Sequence, residues 1–249
     1  LSQIPRVPER LADVTIQPVI FVLLFAYVFG SAIQIPGGGS YREYLLPGIF
    51  VQTMAFVAIT TAVGMATDMQ AGLIDRFRSL PMARSAVLVG RAIADLLQSA
   101  LGVVVMSVCG LLVGWRANLG LWHTLAGFGL LLLFGLAMIC AGILIGLIVR
   151  ESQTAQVLGF IVILPMTFLS NTFVPTQGLN DVLRKIAEWN PVSSLVAALR
   201  TEFGNPGVIT SGVALPLRHP VASALIWSLL ILTVSMTLAV RRYSRSVSR

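Results

Sequence analysis

Few side chains in this 249-residue chain could take part in chemistry, and their spacing excludes several kinds. The single lysine, Lys185, follows Arg184, so no glycine-rich loop ending in Gly-Lys-Ser/Thr is present to bind nucleotide phosphates. His123 and His219 have no carboxylate or cysteine at ligand spacing, so no metal site is predicted. No nucleophile stands with an acid and a base. We therefore expect neither an enzyme nor a chain with a cofactor of its own.

Arg91 and Asp95 are opposite charges at helical i,i+4 spacing near one end of an apolar stretch. Such a pair is typical of an ion pair at the membrane boundary, and it could also belong to a proton relay. The middles of the apolar stretches lack ionisable side chains, which argues against proton coupling. An ion-coupled secondary transporter is thus a weaker alternative that depends on Asp95 being buried and titratable.

Neutral polar and aromatic side chains are the candidates for contact with a transported molecule. One group lies in the second apolar stretch and another toward the end of the fifth. They are Gln52, Thr53, Phe56, Thr60, Met166, Thr167, Phe168 and Asn171. This lining suits a hydrophobic or amphipathic compound. Because serine and threonine also hydrogen-bond between membrane helices, a purely structural role is the alternative.

The elements that position these residues are predicted to be membrane helices. The chain is 56% hydrophobic and 11% charged, with a mean hydropathy of +0.88. Six stretches reach the roughly 20 residues needed to cross a bilayer. They are residues 14–33, 44–66, 87–115, 121–149, 153–172 and 221–240. None alternates like a barrel strand, so the predicted fold class is all-α, with six transmembrane helices in one domain, residues 1–249.

The distribution of arginine and lysine predicts that both termini are cytoplasmic. Eleven of the 17 basic residues then lie inside, and six, including Arg200, lie outside. Residues 1–13 would form the cytoplasmic approach to the first span. Anionic lipid headgroups suffice as partners for the net charge of +7, so no nucleic acid is expected.

Residues 67–84 form a polar segment with a helical apolar stripe between the second and third spans. The stripe contains Met69, Leu73, Phe77 and Leu80. The charged residues beside it are Asp75, Arg76 and Arg78. Three- to four-residue spacing predicts an amphipathic helix that docks on another protein, and Pro81 ends it. A solvated loop is the alternative.

Residues 173–220 lie between the last two predicted spans. Two short helices are predicted within this segment. Leu179, Leu183 and Ile186 share one face of the first, and Val192, Leu195, Val196 and Leu199 lie on the second. Asn180 and Asn190 are the expected N-caps, with Pro191 in a favoured first-turn position. At about half the crossing length, these helices should enter the outer leaflet or cover the protein without spanning. A surface cap and a gate are both compatible with this pattern.

Three segments carry a resemblance to a known family. They read YREYLLPGIFVQT at residues 41–53, GLIDRFRSLPMAR at 72–84 and NTFVPTQGLNDVLRKIAEWNPVSSLVAALR at 171–200. The chain resembles the type-2 permeases of ABC exporters, in the daunorubicin-resistance branch, from Gln17 to its end. The most specific feature is a Phe-Val-Pro and an Asn-Pro separated by a short amphipathic helix.

This resemblance implies a half-permease that pairs with a second permease, identical or homologous. Two copies of a cytoplasmic ABC ATPase would bind ATP and Mg. ATPase-coupling residues would be Leu73, Asp75, Arg76, Phe77, Arg78 and Leu80. An extracellular gate would contain Phe173, Val174, Pro175, Asn190 and Pro191. The cargo, passing between the halves near spans two and five, would be a drug, antibiotic or lipid leaving through the inner membrane; a polysaccharide or lipid-linked glycan is the alternative.

Overall fold

The computed structural model describes residues 20, 40–71, 84–149, 151–173, 179–207 and 212–247. Eight helices occur in these ranges, and we number them in chain order. They are α1 (Tyr41–Gln70), α2 (Arg84–Val113), α3 (Leu121–Ile148), α4 (Ser152–Phe168), α5 (Asp181–Trp189), α6 (Pro191–Phe203), α7 (Leu215–Arg218) and α8 (Pro220–Val247). The described ranges contain no strand, so the predicted all-helical class is confirmed.

Four helices are long and apolar enough to cross a membrane. They are Tyr41–Gln70, Leu88–Val113, Leu121–Ile148 and Pro220–Tyr243. The predicted fifth span is a shorter apolar helix of 17 residues, in which Pro165 lies in the last turn rather than near the middle. Apart from Ile20, the predicted first span lies outside the described residues, so the count of six spans stays a prediction.

The centre of the bundle is the close contact between α1 and α3. Gly142 and Gly146, one turn apart on α3, face main-chain carbonyls of α1. A Cβ atom on Gly146 would lie 2.6 Å from the oxygen of Ala62, and one on Gly142 would be closer still to that of Ala58. Small residues permit this approach, which membrane helices use because lipid gives no hydrophobic drive for association.

An aromatic cluster joins one end of the bundle to α6. Phe203, the last residue of α6, lies 5.3 Å from Trp115 and 5.2 Å from Phe128, measured between ring centroids. The indole of Trp115 donates a 2.8 Å hydrogen bond to Oδ1 of Asn205, just beyond α6. These contacts fix the C-terminal end of α6 to the membrane helices.

The polar segment 67–84 is divided between three regions. Residues 67–70 continue α1, Arg84 begins α2, and residues 72–83 lie outside the described residues. All six predicted ATPase-coupling residues are in that last group. Assigning Met69 to the docking stripe was wrong, because it is partly buried and packs against a core cluster that includes Met65 and Leu88.

The two short helices of the outer segment are present as α5 and α6. Val192, Leu195, Val196 and Leu199 of α6 are all fully buried. Asn180 is the N-cap residue of α5 as expected, and its carbonyl accepts a 2.8 Å bond from the amide of Arg184, but its side chain makes no capping hydrogen bond. On α5, Leu183 and Ile186 of the apolar face are exposed, whereas Ala187 and Glu188 are buried. The Glu188 carboxylate accepts a 2.9 Å bond from the amide of Ala214.

Candidate functional site

Helix α4 contacts α1 along a single ridge of residues spaced four apart. Ala155, Gly159, Ile163 and Thr167 are the buried residues of α4. Gly159 allows this approach, since a Cβ atom there would lie 3.0 Å from the Ile59 side chain. The remaining faces of α4 are largely exposed and apolar, and they include Phe160 and Phe168.

The predicted translocation residues of α1 lie on different faces. Gln52 is buried, whereas Thr53 and Phe56 are half-buried and Thr60 is exposed. The ring of Phe56 packs edge-on against Phe160 of α4, with centroids 6.2 Å apart. Three of these four residues are therefore accessible, and of these Phe56 contacts α4.

The predicted residues of α4 and its C-terminal turn divide in the same way. Phe168 is 59% exposed and packs against the ring of Phe173 at 5.9 Å. Thr167 is buried and donates its hydroxyl to the carbonyl of Ile163 in its own helix, and Asn171 is buried too. Met166 is half-buried against the core. Of these four residues, Phe168 is the one whose side chain is largely exposed.

Asn190 connects the end of α4 to the start of α6. Its Oδ1 accepts a 2.9 Å bond from the amide of Val192, which confirms it as the N-cap of α6, where Pro191 follows as the first residue. Its Nδ2 donates to the carbonyls of Met166 at 2.6 Å and Leu169 at 2.9 Å. The side-chain amide of Asn190 thus bonds to the C-terminal end of α4 and to the N-terminal end of α6.

Of the other predicted gate residues the structure describes Phe173, which lies in the turn after α4. Phe173 is buried, and its carbonyl accepts a 3.4 Å hydrogen bond from the hydroxyl of Tyr41. Val174 and Pro175 lie outside the described residues. The gating role of this set stays a prediction.

Arg200 is a buried cation that sequence reasoning assigned to the outer surface. It is 1% exposed, and its guanidinium donates to the main-chain carbonyls of Tyr44, Asn171 and Thr172 at 2.9–3.2 Å. Among the described residues no carboxylate pairs with it, and its Nη1 has no hydrogen-bond partner there. Helix spacing could have revealed its position, because Arg200 follows Val196 by four residues on the apolar face of α6.

Arg200 connects three elements: helix α1, the turn after α4 and helix α6. Burial lowers the pKa of its guanidinium, while the neighbouring Tyr44 raises it. Tyr44 also donates its hydroxyl to the carbonyl of Asn171 at 3.1 Å. Helix α1, the turn after α4 and helix α6 are therefore held together by one side chain.

A charged cluster links the C-terminal part of α1 to the N-terminal part of α2. Arg91 of α2 forms ion pairs with Asp68 of α1 and, at 3.5 Å, with Asp95 of its own helix, so the predicted i,i+4 pair is present. The hydroxyl of Thr61 donates a 2.9 Å bond to the Asp95 carboxylate. The guanidinium lies directly over Gly64, where a larger residue would collide with it.

A cavity of about 370 Å³ lies between α1 and α2 beside this cluster. Hydroxyl, amide and charged side chains make up most of its described lining. The lining residues are Thr53, Met54, Val57, Thr60, Thr61, Arg91, Asp95, Gln98, Ser99 and Gly102. Two of the predicted translocation residues, Thr53 and Thr60, thus face a polar space rather than lipid alone.

Four helices that are long and apolar enough to cross a membrane, joined to shorter helices, are typical of an integral membrane protein. The chain matches the ABC-2 type transporter family model over residues 1–203. It belongs to that family.

Named relatives narrow the class further. The chain is 31% identical to daunorubicin resistance ABC transporter permease protein DrrB1 of Streptomyces coeruleorubidus, over 78% of this chain and 68% of the relative. It is 29% identical to doxorubicin resistance ABC transporter permease protein DrrB of Mycobacterium tuberculosis, over 90% of this chain and 80% of the relative. It is 21% identical to probable multidrug ABC transporter permease YbhR of Escherichia coli, over 61% of this chain and 41% of the relative.

Proposed function

We propose that this chain is the permease subunit of an ATP-driven exporter for a hydrophobic or amphipathic drug or antibiotic. The observation that carries the proposal is the 31% identity to a daunorubicin-resistance permease over 78% of the chain. The accessible residues of α1 and α4 support it, since Thr53 and Thr60 offer hydroxyl groups and Phe56 and Phe168 offer aromatic rings.

ATP is hydrolysed by a separate subunit in this proposal. The sequence lacks a phosphate-binding loop, so two copies of a cytoplasmic ABC ATPase would bind ATP and Mg. They would dock on the helix predicted within residues 67–84, through Leu73, Phe77 and Leu80 with polar contacts around them. The Asp68–Arg91 ion pair supports this arrangement, because it joins α1 and α2 where they flank residues 72–83.

The complete permease in this proposal is a dimer of six-span halves, identical or homologous, with both termini cytoplasmic. Cargo would pass between the halves along α1 and α4. The pair α5 and α6 would enter the outer leaflet without crossing it, and their junction with α4 at Phe173, Asn190 and Pro191 would close the exit. The direct bonds of Asn190 to the end of α4 support a mechanical link between these elements.

The decisive experiment is reconstitution of the permease with its candidate ATPase in lipid vesicles. We expect doxorubicin to stimulate ATP hydrolysis and to move across the bilayer only when ATP is present. The permease without ATPase should hydrolyse nothing, and turnover by that preparation would contradict the division of labour. Stimulation by a lipid-linked oligosaccharide, with none by doxorubicin, would instead establish the glycan-export alternative.

A further inference from the structure

Helix α5 turns its apolar face away from the rest of the protein. Val182 is 66% exposed, Ile186 51% and Trp189 56%, and their spacing of three and four residues puts them on one side of the helix. The buried residues of α5 are Ala187 and Glu188. A helix on a water-facing surface directs its apolar side inward, so α5 has the reverse orientation.

Polar contacts fix this orientation of α5. The buried Glu188 carboxylate accepts a 2.9 Å hydrogen bond from the amide of Ala214 and lies 3.7 Å from the half-buried guanidinium of Arg184. Rotating the helix to bury its apolar face would break both contacts and leave a carboxylate without its partners. The outward direction of the apolar face is therefore a property of the fold.

The C-terminal end of α5 lies level with the last turn of α4. Asn190, which follows Trp189, donates from its side chain to the carbonyls of Met166 and Leu169 at 2.6 and 2.9 Å. Because α4 is an apolar helix, its end lies where the hydrocarbon of a bilayer gives way to headgroups. An exposed tryptophan is most favourable at that boundary.

The two edges of the apolar face differ in polarity. At 3.6 residues per turn, Asp181 and Lys185 lie along one edge, whereas Leu183 lies on the other. Lys185 is exposed and forms no ion pair with any residue that the structure describes. A lysine beside an apolar face extends its ammonium group toward headgroups and water while its stem stays on apolar surface. One edge of α5 thus suits water, and the opposite edge suits lipid.

The exposed face is too small to be a stable contact with another copy of the chain. A nine-residue helix is about 13 Å long, so its outward side covers on the order of 150 Å². Stable protein interfaces bury about 800 Å² on each partner. Lipid therefore fits this face better than a protein does.

We propose that α5 lies flat in the bilayer boundary and contacts the acyl chains of the surrounding lipid with Val182, Ile186 and Trp189. The flat orientation follows because the exposed apolar residues run from the first turn of the helix to its last residue. Helix α6 does not share this role, since its apolar residues are buried in the protein. This inference goes beyond the proposed function, because it gives α5 a lipid-anchoring role that does not depend on the cargo.

The test places a nitroxide label on single cysteines in the purified permease, reconstituted in phospholipid nanodiscs with Cys109 and Cys140 replaced. Labels in Val182→Cys and Ile186→Cys should collide more often with oxygen, which dissolves in lipid, than with a water-soluble nickel chelate. Asp181→Cys, on the polar edge of the same helix and 85% exposed, is the matched control and should show the opposite preference.

Equal access of the nickel chelate to positions 186 and 181 would place α5 in water and overturn the proposal. Protection of position 186 from both reagents would show that protein covers the face, and it would overturn the proposal in favour of a second copy.

A second measurement uses the tryptophan fluorescence of the unlabelled protein in lipid brominated on its acyl chains. Trp189→Phe should lower the quenched fraction of the emission, and an unchanged fraction would overturn the proposal. Neither measurement uses an ATPase or a cargo, so failure of the proposed function would leave both results valid.

Discussion

The guanidinium carbon of Arg200 lies 3.5 Å from the ring centroid of Tyr44, and the same guanidinium donates to the Tyr44 carbonyl. The side chain of Arg200 on α6 therefore contacts both the ring and the main-chain carbonyl of Tyr44 on α1. Because the charge is desolvated, the cation–π contact is worth more here than at an exposed site. Helix α6 is held against the bundle by this pair as well as by apolar packing.

Arg200→Met should destabilise the purified permease by at least about 2 kcal/mol, because it removes the guanidinium hydrogen bonds to three main-chain carbonyls. Arg200→Lys should fall between wild type and Arg200→Met, since an ammonium group lacks the planar fork. Unfolding in detergent measures both. Arg116→Lys is the control: this exposed arginine also donates to main-chain carbonyls, and its replacement should change stability by less than about 0.5 kcal/mol. Equal losses at positions 200 and 116 would contradict the assigned role.

Gly146→Ala should destabilise the bundle by about 1–3 kcal/mol, because its Cβ would meet the Ala62 carbonyl and force α3 away from α1. Gly129→Ala, in the same helix, meets nothing within 4 Å and should be neutral or slightly stabilising through helix propensity. Thermal unfolding of the two variants side by side gives the answer. If position 146 tolerates alanine as well as position 129 does, the close α1–α3 contact is wrong.

The ion pair between Asp68 and Arg91 should couple the two helices. Its side chains are 37% and 23% exposed, so the coupling energy from a double-mutant cycle of Asp68→Asn and Arg91→Gln should not exceed about 1 kcal/mol. Each single variant should also lower the amount of cargo moved per ATP hydrolysed, with the double variant no worse than the poorer single one. Strictly additive losses would mean that the two residues act independently.

Within the described residues, the sequence was sufficient for the approximate positions of the helices and insufficient for their contacts. Val192, Leu195, Val196 and Leu199 were recognisable as a buried face because apolar residues at helical spacing pack inward. The four-residue spacing from Val196 puts Arg200 on the same face, but its partners were not predictable, since they are main-chain carbonyls 28 to 156 residues away that no side-chain pattern reports.

The candidate site shows the same limit. Hydroxyl residues such as Thr53 and Thr60 could be recognised on α1, but composition does not say which helix they face. Thr167 looked equivalent in sequence, yet its hydroxyl bonds within its own helix. Polar residues in a membrane helix satisfy themselves locally or line a space, and only the packing of neighbouring helices decides between the two.

The predicted docking helix is tested by Phe77→Ala combined with Leu73→Ala. Loss of two large apolar anchors, each worth roughly 1.5–3 kcal/mol when buried, should weaken association with the ATPase or uncouple hydrolysis from export. The permease should still insert and fold. Co-purification and doxorubicin-stimulated hydrolysis are the two measurements, and wild-type values for both would exclude this segment as the coupling element.

The predicted topology places Ser79 and Ser246 inside the cell and Gly38 and Gln177 outside, following the positive-inside rule. Single cysteines at these positions are labelled with an impermeant reagent in intact cells, on a background in which Cys109 and Cys140 are replaced. Only positions 38 and 177 should react. Strong labelling at position 79 would reverse the orientation and remove the ATPase-docking interpretation with it.

The single ridge by which α4 contacts α1 has a consequence for how such a transporter can change over evolutionary time. Among the described residues, the fully buried positions of α4 are Ala155, Gly159, Ile163 and Thr167. Exposed positions such as Val157 and Ile161 can accept substitutions at little cost to folding. New compound preferences can therefore arise on this helix in small steps, each tolerated by the same scaffold.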